Sequence, residues 1–237
     1  MNLLTELPSK ELLDLRMEAV LRLLSADELE AIMKACDCHW IHNGDPQAPH
    51  AELTSGKCSN GFINLRLVLC RLNLCQIMAN QLIRLLTARY SGRIDWVMGS
   101  ATASTNLAYE VARQLGAQTW PMQKGPEKTQ LLESMVIPDD AVILHVEELM
   151  TTAGTARAVR EGIRKVSPNV KFVPFLPVIA HRPEPGDCTG VDNSKVIYLA
   201  HYDIWTADPK DCTLCKQGSK PLRPAKNWQE LTAGKAV

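Results

Sequence analysis

The stretch Ala141-Val-Ile-Leu-His-Val-Glu-Glu-Leu-Met-Thr-Thr-Ala-Gly-Thr155 decides how this chain is read. A short apolar run, rich in branched residues, predicts a buried strand. The strand carries two carboxylates, Glu147 and Glu148, to its carboxyl end. Two residues on, Thr151-Thr152-Ala153-Gly154-Thr155 opens a helix that runs to Val166. Open parallel sheets bind ligands at the carboxyl ends of their strands. Helix amino termini leave amides unpaired and carry partial positive charge, so they accept phosphate. Small residues let the backbone close on the oxygens, and the threonine hydroxyls add donors. Carboxylates beside such a cradle would repel the phosphate unless they engage sugar hydroxyls or help to hold Mg²⁺. The ligand implied has a phosphate at one end and a ribose next to it. Taken alone, the threonine-rich segment also suits an ordinary helix cap; the acidic pair just before it favours the phosphosugar site. No Gly-Lys-Ser/Thr follows, so it is not a Walker loop.

Working outward, Asp95-Trp-Val-Met98 predicts a second buried strand, ending in Gly99-Ser100-Ala101. A helix is expected over Thr105 to Leu115, stopped by Gly116. Further strands are expected at Ala117 to Met122, at Val170 to Ala180 broken by Pro174 and Pro177, and at Val196 to Ala200. Residues 123–138 are polar and carry Gly125, Pro126 and Pro138, which predicts a long loop. Alternating strands and helices predict a parallel α/β sheet with right-handed crossovers. Upstream, residues 9–35 are helical in pattern, with Ser25 and Glu28 set as a capping box. Residues 71–90 form an amphipathic helix. The organisation expected is N-terminal helices with a hood segment over residues 1–90, an α/β core over 91–205 and a cysteine-bearing tail over 206–237.

Composition narrows the function classes. The chain has 237 residues, 46% hydrophobic and 22% charged, which suits a folded domain with an appended lobe. Lys+Arg and Asp+Glu are 26 each, and a zero net charge argues against a nucleic-acid partner. The most apolar stretch, 65–86, is interrupted by Arg66, Arg71 and Arg84, so no membrane span is expected. No secretory pattern precedes it, and a cytoplasmic protein is the expectation. Of eight cysteines, Cys70 and Cys75 fall in an apolar helical pattern and are expected in the core. Cys36-x-Cys38 and Cys212-x-x-Cys215 are candidate halves of a structural zinc site that would pin the two ends of the chain. Ordinary turn cysteines are the alternative. His145, inside a predicted strand, is expected as a core histidine, and Trp205 and Trp228 as anchors of the tail.

The acidic pair and the threonine loop resemble the ribose-5-phosphate signature of the type I phosphoribosyltransferases. The segment Leu53-Thr-Ser-Gly-Lys-Cys-Ser-Asn-Gly-Phe-Ile-Asn64 is similar to the hood segment of the orotate branch of that family. The resemblance covers about residues 50–205. It implies a parallel sheet with flanking helices and a smaller hood, Mg²⁺, phosphoribosyl pyrophosphate as donor, and a nitrogenous base as acceptor that displaces pyrophosphate. An orotate-type base is the first expectation. By the same resemblance Glu147 and Glu148 grip the ribose hydroxyls, and Thr151, Thr152, Ala153, Gly154 and Thr155 hold the 5′-phosphate. Gly99, Ser100 and Ala101 belong to the pyrophosphate loop. Lys124 stands at the edge of a mobile catalytic loop. Ser55, Lys57 and Phe62 lie near the base, and Arg182 stands where the orotate branch places an arginine for the base's carboxylate. A homodimer is implied as well. The sequence departs from the pattern in having Glu148 where the second acid is more often Asp, one glycine in the 99–105 loop, and few basic residues beside Lys124. A protein that binds the donor or a nucleotide without turning it over is the alternative.

Overall fold

The computed structural model describes residues 4–182, 191, 192 and 194–233. The chain divides into two compact units, Met1–Cys36 with Leu65–Tyr202, and Asp37–Asn64 with Asp203–Val237. Long-range pairing sets this division. The N-terminal helices join the first unit because Gln81 receives the Leu24 N–H (2.7 Å) and donates to the Arg22 carbonyl (3.0 Å). The hood segment and the tail share a sheet, so they fold together.

In the first unit, helix α1 (Ala26–Ala35) opens with the expected capping box: Glu28 N–H to Ser25 Oγ, 3.2 Å, and Ser25 N–H to Glu28 Oε2, 3.0 Å. Helix α2 (Leu72–Thr87) buries Leu74, Cys75, Met78, Leu82 and Leu86. Cys75 is a core residue as expected, and burial pushes its thiol up to about 12. Cys70, by contrast, is exposed.

Then follow β1 (Trp96–Met98), α3 (Thr105–Leu115), β2 (Gln118–Thr119), β3 (Val142–His145), β4 (Glu147–Met150), α4 (Gly154–Val166), β5 (Lys171–Phe172), β6 (Phe175–His181) and β7 (Lys195–His201). All pairings among these strands are parallel. They form one ladder in the order β5-β3-β1-β2 and another in the order β4-β6-β7. The chain passes between the ladders at Val146, whose N–H reaches the Met98 carbonyl at 2.9 Å. It passes again at Pro174, which has no N–H to pair. The strand expected to break at both prolines breaks only there, and β6 runs on through Pro177. Trp96, Met98, Ile143, Val159 and Ile163 pack as one apolar cluster between sheet and helix. Each such buried side chain contributes about 1.5–3 kcal/mol.

Residues 123–138 are more ordered than a long loop. Gln123–Lys124 pairs antiparallel with Gln130–Leu131 in a short hairpin. Its root is fixed by the Ala101 N–H, which donates to Gln130 Oε1 at 2.9 Å. The Gln130 carbonyl also lies against Gly162 of α4, where a Cβ would stand 2.0 Å from that oxygen. Gly162→Ala is therefore expected to destabilise the protein by about 1–3 kcal/mol through overpacking against backbone. Thermal denaturation checks this, and an unchanged midpoint would refute the close approach.

The second unit is built from short strands. His39–Ile41 pairs antiparallel with Gly61–Ile63. A second sheet runs Thr206–Ala207, Cys58–Ser59, His50–Glu52, Pro221–Leu222, with only the last pair parallel. Trp228 donates from Nε1 to Asp37 Oδ2 at 2.6 Å and meets the Phe62 ring edge-on at 6.0 Å. The tail is anchored by this tryptophan, against the hood segment. Among the described residues no helix is long and apolar enough to cross a membrane.

Candidate active site

The β3–β4 run places Glu147 inside the first unit, 2% exposed. Its Oε2 accepts from Ser100 Oγ at 2.6 Å and from Ser104 Oγ at 2.7 Å. Its Oε1 meets His145 Nε2 at 2.8 Å. Burial alone would raise the Glu147 pKa, but these donors outweigh it and hold the carboxyl below the usual carboxylate range. His145 is fully buried, and desolvation lowers its pKa, so the ring is neutral near pH 7. It then carries its proton on Nε2, toward Glu147, and presents Nδ1 to Arg160 Nε at 3.5 Å. Arg160 is itself buried, with Nη1 donating to the Val191 carbonyl at 2.8 Å and to Ser194 Oγ at 3.0 Å. His145 is thus a core residue, as expected, and also orients the first carboxylate.

Glu148 is half-buried beside it. Burial, together with the neighbouring Glu147 charge, raises its pKa to about 7. Ser104 is the hinge of the pair. Its hydroxyl has one proton, yet its oxygen touches both carboxylates and accepts the Glu148 N–H at 3.1 Å. The arrangement closes when Glu148 is protonated and donates to Ser104, which in turn donates to Glu147. Loss of that proton leaves two anions competing for one hydroxyl. Ser104 is the cap residue of α3, but its side chain makes no capping bond. It serves the carboxylates instead.

Beyond Met150 the chain turns into α4 through Ala153, which sits in the left-handed region at φ 59° and offers no side-chain cap. Thr152, Gly154 and Thr155 are exposed and Thr151 is half-buried. A hollow of about 40 Å³ is lined by Glu147, Met150, Thr151, Thr152 and Gly154. The 151–155 segment and Glu147 therefore line one hollow. The 99–105 loop folds back beneath them, with a cis peptide between Ala101 and Thr102. At Gly99 a Cβ would meet Ser104 backbone and side chain at 2.9 Å, so only glycine fits.

Lys124 is exposed on the hairpin rooted in that same loop. Arg182 is buried, and its N–H pairs with the Met150 carbonyl at 2.9 Å, just before the 151–155 segment. The residues that follow it, 183–190, lie outside those described. Ser55 and Lys57 are exposed in a turn of the second unit, and Phe62 is half-buried there against Trp228. The Tyr202 hydroxyl is turned to Met33 and Glu30 of α1. A larger hollow, about 700 Å³, runs along Leu85, Phe175 and Lys195 at the amino ends of β6 and β7. Ser104, Arg160 and Gln130 were not singled out by sequence. A serine four residues after Ser100, at a helix start, was the available signal for the first.

The zinc set expected from sequence is corrected. Cys36 caps α1 in the first unit, and Cys38, in the second, is buried, with its carbonyl taking the Asn64 N–H. Cys212 and Cys215 cluster instead with His50 and Cys58, their ligand atoms all within 4.8 Å of one another. Strand register decides this, since it sets His50 and Cys58 beside the Cys212–Cys215 turn.

No family model matches the chain. Among curated proteins it is 29% identical over 202 residues to an orotate phosphoribosyltransferase of Pelotomaculum thermopropionicum, covering 85% of this chain and 97% of that one. It is also 29% identical over 176 residues to the enzyme of that name from Caldanaerobacter subterraneus, covering 74% and 87% of the two chains. Among solved structures, an orotate phosphoribosyltransferase from Aeropyrum pernix aligns with a TM-score of 0.56 at 18% identity, covering 73% of this chain and 93% of that one. That likeness speaks for the fold.

Proposed function

We infer that this chain, a homologue of the orotate phosphoribosyltransferases on the type I phosphoribosyltransferase fold, moves ribose 5-phosphate from phosphoribosyl pyrophosphate to a nitrogenous base, orotate first. The observation that carries the reading at the level of the site is the contiguity of the acidic pair with the uncapped amides of α4. In this reading residues 151–155 hold the 5′-phosphate and Glu148 accepts from the ribose hydroxyls. Glu147, saturated by three donors, positions Ser100 and Ser104 under the pyrophosphate. Lys124 meets the leaving pyrophosphate as the C1–oxygen bond breaks and positive charge grows on the sugar. Its charge stabilises the departing oxygens, and the hairpin limits water. Arg182, whose N–H pairs with the Met150 carbonyl, helps to select the base.

Mg²⁺ suits the oxygen donors here, where Glu148 and the donor's own oxygens would hold it and it would neutralise charge on the leaving group. A homodimer in a reducing cytoplasm is part of the same proposal.

Glu148 gives a pH signature. Its raised pKa means that the carboxylate needed for the ribose is depleted below about 7. The rate constant kcat/KM should climb with pH and level off above that value. Glu148→Gln should abolish the climb along with most activity. A flat wild-type profile between pH 5.5 and 8 (an assay range set at roughly the carboxylate-to-imidazole window) would remove Glu148 from this role.

The direct test is turnover. Phosphoribosyl pyrophosphate, Mg²⁺ and a panel of bases including orotate and xanthine should give nucleotide and pyrophosphate with one base. A thermal shift with the donor and no product from any base would instead support a binding protein; donor at 100 times its Kd adds about 2.7 kcal/mol. Neither shift nor product would overturn the assignment.

A further inference from the structure

We propose that the second unit holds a structural zinc ion through His50, Cys58, Cys212 and Cys215, a function separate from the phosphosugar site. His50 opens its strand, and Cys58 opens the neighbouring antiparallel one, opposite Glu52. Residues two apart share a face, so His50, Glu52 and Cys58 project to the same side of the sheet. The tail strands Thr206–Ala207 and Pro221–Leu222 pair to the two outer edges of this sheet. The Cys212–Cys215 turn lies between them in the chain and brings its thiols to the same face.

The distances are those of a tetrahedron about to close. Zinc bonds of ~2.3 Å to sulfur and ~2.0–2.1 Å to nitrogen set edges of roughly 3.8 Å for sulfur–sulfur and 3.5 Å for sulfur–nitrogen. Cys58 Sγ and Cys215 Sγ are 3.6 Å apart. His50 Nε2 is 3.4 Å from Cys215 Sγ and 3.8 Å from Cys212 Sγ. A disulfide would need sulfurs ~2.05 Å apart and would leave the third thiol and the imidazole unused.

The surroundings orient the ligands. Ser219 Oγ donates to the Ala48 carbonyl at 2.6 Å, which commits its hydroxyl hydrogen. The same oxygen lies 2.7 Å from His50 Nδ1, so Nδ1 carries the ring proton and Nε2 turns its lone pair to the sulfurs. Cys215 N–H points at Cys212 Sγ at 3.4 Å, a bond that favours the thiolate. His50 and Cys212 are 0% exposed and Cys58 is 1% exposed. Three thiols and one imidazole at this spacing, all buried but the half-buried Cys215, are a ligand set for a thiophilic tetrahedral cation and a poor one for Mg²⁺. The strands involved are only two or three residues long, and the ion would lock segments more than 140 residues apart. It would also fix the base of the Ser55–Lys57 turn, which spans the gap between His50 and Cys58.

The test is elemental analysis of the full chain purified without chelator from zinc-supplemented cells. One zinc per chain is expected, with Cys58→Ser and Cys212→Ser near zero and Cys36→Ser retaining the metal. Because a ligand variant can misfold, the wild-type protein exchanged with Co²⁺ gives an independent reading. Intense tetrahedral d–d bands and thiolate charge transfer are expected. A metal-free wild-type chain, a Cys212–Cys215 disulfide found by mass mapping, or an octahedral Co²⁺ spectrum would overturn the proposal. Zinc lost on Cys36→Ser and kept on Cys58→Ser would do so as well.

Discussion

Glu147→Gln should cost the protein both stability and turnover. The carboxylate accepts from His145, Ser100 and Ser104 inside the first unit. An amide of the same shape can satisfy only part of this set. With its oxygen toward His145, the amide N–H₂ faces two serines that must rotate to accept it, yet Ser104 already accepts the Glu148 N–H. Turned the other way, the amide confronts the His145 N–H. A tautomer switch would then set the new Nδ1–H against Arg160. Leaving a buried donor unpaired costs about 1–3 kcal/mol, and this is the expected loss in chemical denaturation near pH 7. The pH dependence separates charge from shape. The folded-state pKa of Glu147 lies below its ordinary 4.5, so its contribution is full above that value and fades as pH falls through the lower folded one. The stability gap between wild type and Glu147→Gln should therefore narrow in acid. On the proposed function, misplaced Ser100 and Ser104 would lower kcat by about 10²–10³. A variant as stable as wild type at pH 7, with unchanged kcat, would show that the network is incidental.

The strand run at 141–150 and the helix start after it were legible because local chemistry writes them. An apolar run, an acidic pair and a hydroxyl-glycine loop need no distant partner to be recognised. Ser104 was not legible: in Ala-Thr-Ala-Ser it looks like a helix cap, and its partner lies 43 residues away. Arg160 has the same difficulty, since on a helix whose last turn is basic it passes for a surface charge, and the partners that take its hydrogen bonds, Val191 and Ser194, lie more than 30 residues on. Half of the cysteine cluster was readable from Cys212-x-x-Cys215. The other half was not, because His50 and Cys58 stand alone in sequence and meet only through strand register. Cys36-x-Cys38 offered a pair by spacing, and spacing carried no information about which sheet would form. The hairpin at 123–131 was missed for a related reason. Its strands are two residues each, too short for any alternation to show, and its order comes from Gln130 reaching the 99–105 loop.

That hairpin makes Lys124→Ala the sharpest separation of an enzyme from a binding protein. Lys124 is exposed and pairs by backbone with Gln130, so truncating its side chain leaves the hairpin and its root in place. Folding stability should shift by less than about 0.5 kcal/mol, as for surface positions generally. If the lysine meets charge that develops only as pyrophosphate departs, its loss falls on the transition state. Removing one such donor typically costs about 2.7–4 kcal/mol, or 10²–10³ in kcat. On the proposed function, KM for phosphoribosyl pyrophosphate should move far less, because residues 151–155 and Glu148 are untouched. If instead the lysine only holds a resting ligand, the donor's Kd weakens and no chemical step slows. Paired measurements of donor Kd by calorimetry and of single-turnover rate decide between the two. A weaker Kd with an unchanged single-turnover rate would place Lys124 in ground-state binding alone, and no loss in either would take the hairpin out of the site.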